Sequence, residues 1–127
     1  MKKLTPNLMV NSVDETIVFY RDVLGFKVVM TMPETGVKDF AILQNGSVEL
    51  MLQSRKSIKE DLPFLAEQPI GSSAILYVEV GGIQALHDRI AGKVTVLLPM
   101  RKTHYGMQEF CIRDPHGYVI VFAEPVA

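Results

Sequence analysis

Tryptophan is absent from this chain of 127 residues, cysteine occurs once, and neither sign of charge predominates. Each scarcity excludes something. The single cysteine, Cys111, cannot form an internal disulfide, and it fits a reducing cytoplasm, the expected location. Thirteen Lys and Arg face fourteen Asp and Glu, a net charge of −1, so no basic stripe exists and nucleic acid is not an expected partner. The same near-neutrality withholds the acidic field that gathers strongly cationic ligands. Without tryptophan the best stacking surface for a planar ligand is missing. No apolar run approaches the ~20 residues that span a bilayer, so no membrane partner is expected. Met1-Lys2-Lys3 leads directly into a strand-like segment, without the apolar region of a signal peptide. What is present is ordinary for a globular protein: 48% hydrophobic and 21% charged residues, enough chain for one core, with seven methionines as adaptable filler.

The first half reads β-α-β-β-β over residues 4–53. Leu4 to Val10 alternates, with Leu8 and Val10 on one side and Thr5, Asn7 and Met9 on the other. Ser12-Val13-Asp14-Glu15 fits a capping box, and Val13, Ile17, Tyr20 and Leu24 follow at helical spacing to a stop at Gly25. Strands are expected over Phe26–Met32, Val37–Gln44 and Ser47–Gln53, the last two joined by a turn at Asn45-Gly46. Residues 54–71 form a connector. In it Ser57-Ile58-Lys59-Glu60 predicts a second capped helix to about Glu67, with Arg55, Lys56, Lys59, Glu60 and Asp61 as a solvated face.

The second half repeats the pattern over residues 73–124. Ser73–Val80 is a strand. Ile83, Leu86 and Ile90 lie at helical spacing before Gly92, and Lys93–Leu98 is a strand continuing into an irregular basic stretch to Tyr105. A hairpin follows, its apolar arms joined by Asp114-Pro115-His116-Gly117, where Pro presets φ and Gly can take φ > 0. Aligning Thr5 with Ser73, and the last strands with each other, puts Glu49 near Val121. Two such modules in one domain over 1–127 predict an α+β fold: a curved mixed sheet, helices outside and a ligand cavity within.

Three segments carry a family resemblance: Val13-Asp14-Glu15-Thr16-Ile17-Val18-Phe19-Tyr20-Arg21-Asp22-Val23-Leu24-Gly25-Phe26, then Gly46-Ser47-Val48-Glu49-Leu50-Met51-Leu52, and Tyr105 to Phe110 with Asp114-Pro115-His116-Gly117-Tyr118. Together they resemble the vicinal oxygen chelate superfamily of glyoxalase I, extradiol dioxygenases, and fosfomycin and bleomycin resistance proteins. The resemblance implies the paired βαβββ fold and a homodimer, but no one activity. Metal-dependent members place a ligand on the first and last strand of each module. Here those positions read Thr5, Glu49, Ser73 and Val121, and only Glu49 is a competent ligand. The adjacent residues, Leu4, Pro6, Ser72, Ala74, Ile120 and Phe122, do not restore a set. His87, His104 and His116 fall on a helix, an irregular stretch and a turn. No metal and no cofactor are therefore expected. The two-His, one-carboxylate iron site of the dioxygenases is missing as well.

Alternation also names the residues facing a cavity: Asn7, Met9, Glu49, Met51, Gln53, Tyr77, Glu109 and Cys111, with His104 and Tyr105 at its mouth. This mixture suits a small organic ligand better than a phosphate. Glu49 is either a hydrated or paired carboxylate in a wet cavity, or an acid/base or cation-binding group and the one catalytic candidate. Cys111 has no nearby His or Lys to activate it. The leading expectation is a metal-independent small-molecule binding protein, sequestering an antibiotic or metabolite. The alternative is a lyase, isomerase or dioxygenase with a degenerate or displaced metal site. A sensor or subunit with a vestigial cavity is the third.

Overall fold

The computed structural model describes residues 1–71 and 73–126. Ser72, one of the neighbours considered for the metal positions, lies outside the described residues. The chain divides into two compact units, Met1–Ile70 and Gly71–Ala127. Among the described residues no helix is long and apolar enough to cross a membrane.

The first unit holds a four-stranded mixed sheet in the order β1-β4-β3-β2. Its strands are β1 (Asn7–Val10), β2 (Lys27–Met32), β3 (Phe40–Asn45) and β4 (Val48–Ser54). β1 runs parallel to β4, and the other two pairings are antiparallel. The β3–β4 turn sits one residue later than the expected Asn45-Gly46. Asn45 pairs with Val48, so Gly46 and Ser47 are the turn, with Gly46 at φ +58° where a side chain would be strained.

Helix α1 (Val13–Val18) begins where the capping box predicts. Ser12 is extended, and its Oγ accepts the Glu15 N–H at 3.1 Å. The helix does not continue in α geometry to Leu24. It widens into a π turn over Phe19–Val23, and the Phe26 N–H closes onto the Tyr20 carbonyl at 2.9 Å. Phe19 and Tyr20 are both buried there and meet edge to face at 5.3 Å. The core beneath α1 is aliphatic: Leu8, Val10, Ala41, Leu43, Leu50 and Leu52.

The connector helix α2 (Arg55–Asp61) starts one turn earlier than the Ser57 capping box predicts. Its N-cap is Ser54, whose Oγ accepts the Ser57 N–H at 3.1 Å. The helix also ends early, before a 3-10 turn at Pro63–Leu65. Two members of the expected solvated face are engaged instead. Arg55 donates to the carbonyls of Ala66 and Gln68, and Asp61 accepts the Gln53 amide at 2.8 Å.

The second unit repeats the topology in the order β5-β8-β7-β6. Its strands are β5 (Ile75–Glu79), β6 (Thr95–Lys102), β7 (Met107–Arg113) and β8 (Val119–Pro125). β5 is parallel to β8, and the rest pair antiparallel. β6 carries the basic stretch as strand through Lys102, with register shifts around Leu98. Pro99 is tolerated because β6 is an edge strand.

Helix α3 (Ile83–Ile90) has no side-chain cap of its own. The carboxylate of Glu124, on β8, accepts the N–H groups of Gly82 at 2.6 Å and Ile83 at 3.2 Å. Here the strands supply the aromatic rings. Phe110 and Phe122 lie 5.3 Å apart over Ile112 and Ile120, and the helix contributes Ile83 and Ile90.

The closing hairpin is held by Asp114. Its buried carboxylate accepts the N–H groups of His116 at 2.8 Å and Tyr118 at 2.9 Å. Gly71 packs against this turn so closely that a Cβ would lie 2.4 Å from the His116 carbonyl oxygen.

Candidate functional site

Each unit builds one hydrogen-bonded carboxylate, Glu49 or Glu109, into the sheet face away from its helix, and the two sites differ in chemistry. In the first unit β1 and β4 run side by side with Asn7 opposite Met51 and Met9 opposite Gln53. Two residues upstream, the Thr5 hydroxyl donates to Glu49 Oε1 at 3.0 Å, and Lys3 Nζ reaches the same oxygen at 2.8 Å. Gln44, opposite Glu49 across the hairpin, donates to Oε2 at 2.8 Å. Both oxygens of Glu49 are thus occupied by donors from this chain. These donors, Lys3 first, then Gln44 and Thr5, hold the carboxyl well below its ordinary range, at about 2. The carboxylate is ionised and saturated, which makes it a poor proton acceptor at neutral pH.

Further along the same face lies a network of side-chain amides that ends on a hydroxyl and a carboxylate. Asn7 Nδ2 donates to Gln53 Oε1 at 2.8 Å, and Gln53 Nε2 donates to Ser57 Oγ at 2.9 Å and to Asp61 Oδ2 at 2.8 Å. Gln53 is buried, and it ties β1 and β4 to α2. Asn7 therefore spends its amide within the fold.

In the second unit Glu109 on β7 is 4% exposed. The Tyr77 hydroxyl donates to its Oε2 at 2.5 Å, and the Tyr105 hydroxyl lies 2.8 and 2.9 Å from its two oxygens. Arg101, opposite Glu109 on β6, approaches to 3.8 Å. Tyr77 stands on β5, with β8 between it and β7, a separation of about 9–10 Å. Its side chain therefore reaches across β8, where Val121 and Ala123 share its face and are small enough to be crossed. Tyr105 sits in the β6–β7 turn, with the His104 ring against it edge to face at 5.0 Å.

The bond to Glu109, then burial, raise the Tyr77 phenol to about 12. Tyr105 is raised by the same bond. Both phenols are donors at neutral pH. Burial alone raises the Cys111 thiol, which offers its hydrogen only to the neighbouring Ile112 carbonyl at 3.9 Å. A cavity of about 30 Å³ lies among Leu98, Arg101, Glu109, Phe110, Cys111 and Val121. That is room for water and far below the volume that a drug-sized ligand needs.

The expected residues thus fall into three groups. Thr5 and Glu49 meet. Asn7 joins the Gln53 network, with Met9 and Met51 on the same face. His104, Tyr105, Tyr77, Glu109 and Cys111 gather in the second unit. Lys3, Gln44 and Arg101 were missed as partners of the two carboxylates. Gln44 could have been found, since a two-residue turn after Asn45 sets it opposite Glu49. A larger concavity of about 350 Å³, along Val28, Val29, Met30, Thr31 and Glu34 of the first unit, contains none of the expected residues.

The alignment of Thr5 with Ser73 does not survive the helix starts. Thr5 stands seven residues before the N-cap Ser12, and Ile75 stands seven before the N-cap Gly82. Ser73 precedes β5, with its N–H on the Gly71 carbonyl at 2.8 Å. By the same count Asn7 corresponds to Tyr77. On β8, Val119 stands opposite Ile75 and Val121 opposite Tyr77. The slip arose because alternation repeats every second residue and cannot distinguish registers two apart. Ile75, Val119 and Val121 are all hydrocarbon side chains, so the divalent-metal set of the fold is not fitted by these residues. Among the described residues no three His, Cys, Asp or Glu gather as a metal-ligand group.

The sequence model of the Glyoxalase/Bleomycin resistance protein/Dioxygenase superfamily matches residues 4–122. No curated protein matches the chain. Among solved structures, a protein of unknown function from Agrobacterium tumefaciens str. C58 is similar over 99% of this chain and 95% of its own, at 23% identity and a TM-score of 0.81. TioX from Micromonospora sp. ML1 is similar over 99% of this chain and all of its own (100%), at 17% identity and a TM-score of 0.78. The bleomycin-binding protein from bleomycin-producing Streptomyces verticillus, complexed with copper(II)-bleomycin, is similar over 100% of this chain and 97% of its own, at 23% identity and a TM-score of 0.66.

Proposed function

We propose that this chain, which belongs to the Glyoxalase/Bleomycin resistance protein/Dioxygenase superfamily, binds a small organic molecule without the help of a metal. One observation carries the reading. The only carboxylate at the family's metal positions, Glu49, has both oxygens taken by Lys3, Thr5 and Gln44. A divalent cation would have to displace an ammonium, a hydroxyl and an amide, and would gain no second carboxylate or imidazole from Thr5, Ile75, Val119 or Val121. The small-ligand half of the reading draws support from a relative of the same fold that holds copper(II)-bleomycin. It also draws on the phenol and guanidinium groups converging on Glu109, which are suited to an organic ligand.

The test is a thermal-shift screen of antibiotics and small metabolites, with and without divalent metals. A ligand held at about 100 times its Kd adds about 2.7 kcal/mol to native stability. The expected result is a ligand whose shift is the same in chelator and in metal. Stoichiometric Ni, Zn, Mn or Fe in protein purified without chelator, lost in Glu49→Ala, would overturn the reading and return a metal-dependent lyase, isomerase or dioxygenase. The protein is further proposed to act in the cytoplasm as a homodimer, as exposed sheet edges favour pairing between copies. Light scattering at micromolar concentration checks the dimer, and a monomer refutes it.

A further inference from the structure

Tyrosines in folded proteins ordinarily bury the ring and give the hydroxyl to a hydrogen-bond partner or to water. Tyr20 and Tyr118 are buried as expected, at 1% and 8% exposure. Tyr77 and Tyr105 are inverted. Each is 54% exposed, yet each hydroxyl is spent on Glu109, which is 4% exposed. What faces solvent is therefore ring. Two rings from different elements, β5 and the β6–β7 turn, are tethered by their hydroxyls to one buried carboxylate. The tether removes rotamer freedom before any ligand arrives, which lowers the cost of ordering them on binding.

The charge around the rings decides what they suit. Donation to a carboxylate leaves a phenol electron-rich, and Glu79 on β5 adds a second negative charge near Tyr77. The nearby cation is Arg101, whose guanidinium stands 3.8 Å from Glu109, beyond hydrogen-bond distance, on a side chain 56% exposed. A planar cation is thus already in place beside the carboxylate, held by charge without a hydrogen bond on a half-exposed side chain.

We infer that Tyr77 and Tyr105 form a preorganised stacking platform for a planar, cationic or electron-poor aromatic ligand, with Glu109 as its anchor and Arg101 as the group the ligand displaces. This deepens the small-molecule reading and rests on it. It also supplies a stacking surface in a chain that has no tryptophan.

The experiment uses that absence. With no tryptophan and with Tyr20 and Tyr118 buried, quenching of intrinsic fluorescence reports on the two exposed tyrosines. The probes are 1-methylquinolinium, its anionic counterpart quinoline-2-carboxylate, and neutral 2-naphthalenemethanol. The cation is expected to bind about tenfold tighter than the anion. Tyr77→Leu and Tyr105→Leu should each weaken it by about fivefold, the size of one cation–π contact. Tyr77→Phe, which keeps the ring and loses the tether, should weaken it less, and Arg101→Ala should tighten it. An anion that binds as well as the cation, or no binding of the cation, overturns the platform. So does binding undiminished in folded leucine variants. A ligand from the thermal-shift screen that ignores both leucine variants sinks the platform and leaves the small-molecule reading standing. Silence in both the screen and the probe titrations sinks both.

Discussion

The two units share strand order, helix placement and a carboxylate on the helix-free face, yet they are built from opposite choices of side chain. In the first, the aromatic rings ride on the helix, as Phe19 and Tyr20, over a sheet of Leu, Val and Ala. In the second, they ride on the sheet, as Phe110 and Phe122, under a helix that offers Ile83 and Ile90. Either distribution fills the layer between helix and sheet, because packing asks for volume and not for which element supplies it. The carboxylates diverge in the same way. Glu49 is neutralised by an ammonium and an amide near the surface, whereas Glu109 is buried beneath two phenols. A repeated topology therefore specifies where a carboxylate can stand. The neighbours decide whether it is a saturated surface ion or the root of an aromatic cluster.

Substitutions can test that contrast, beginning with the strongest. Phe110→Ala removes a ring from the sheet side of the second unit and should cost about 3–5 kcal/mol in urea denaturation. If the aromatic layer of that unit is less important than proposed, the loss will fall in the range of an exposed site. Glu109→Ala leaves two phenol hydroxyls without their acceptor and should cost about 1–3 kcal/mol. Glu49→Ala should move the melting temperature much less, since Lys3 and Gln44 can return to water. Equal losses from the two would erase the distinction between the sites.

The helix starts offer a finer comparison. Ser12→Ala and Glu124→Gln should each cost about 1 kcal/mol. Only the second effect should shrink in high salt, because only Glu124 brings a charge to its helix.

The smallest effects at neutral pH are titrations with opposite signs. Glu49 is lowered from 4.5 to about 2, so its contribution is present above the ordinary value and is lost as pH falls from 4.5 toward 2. Glu49→Gln should flatten the fall in melting temperature over that window. Tyr77 is raised from 10.0 to about 12, so its contribution is present below 10 and is lost as pH rises from 10 toward 12. Phenolate absorbance should show late-titrating tyrosines, Tyr77 and Tyr105 among them, and one of these should disappear in Tyr77→Phe. A Tyr77 that titrates with free tyrosine would break its assignment to Glu109.

Much of the fold was legible without coordinates. The Ser12 cap, the alternation of β4, the apolar arm that becomes β8, and the Asp114 turn are local, and local chemistry determines them. The α+β fold and the superfamily followed from those signals in combination. What was not legible has a common cause. The Ser54 cap competes with Ser57 within one connector, and only the end of β4 decides between them. The π turn after Val18 depends on how Phe19 and Tyr20 fit the sheet below. The misplacement of Ser73 came from a period of two, which is blind to shifts of two.

The amino-acid pattern by itself determined which residues of each strand share a face, where α1 begins, and that Glu49 would be the lone carboxylate among its expected metal positions. Only the tertiary structure decided who stands beside whom. Gln44 reaches Glu49 through strand pairing, Lys3 reaches it from ahead of β1, and Tyr77 reaches Glu109, distant in sequence, by crossing the strand between them. Alternation is a property of one strand, whereas a partner is chosen by register between strands, and register is settled when the sheet assembles.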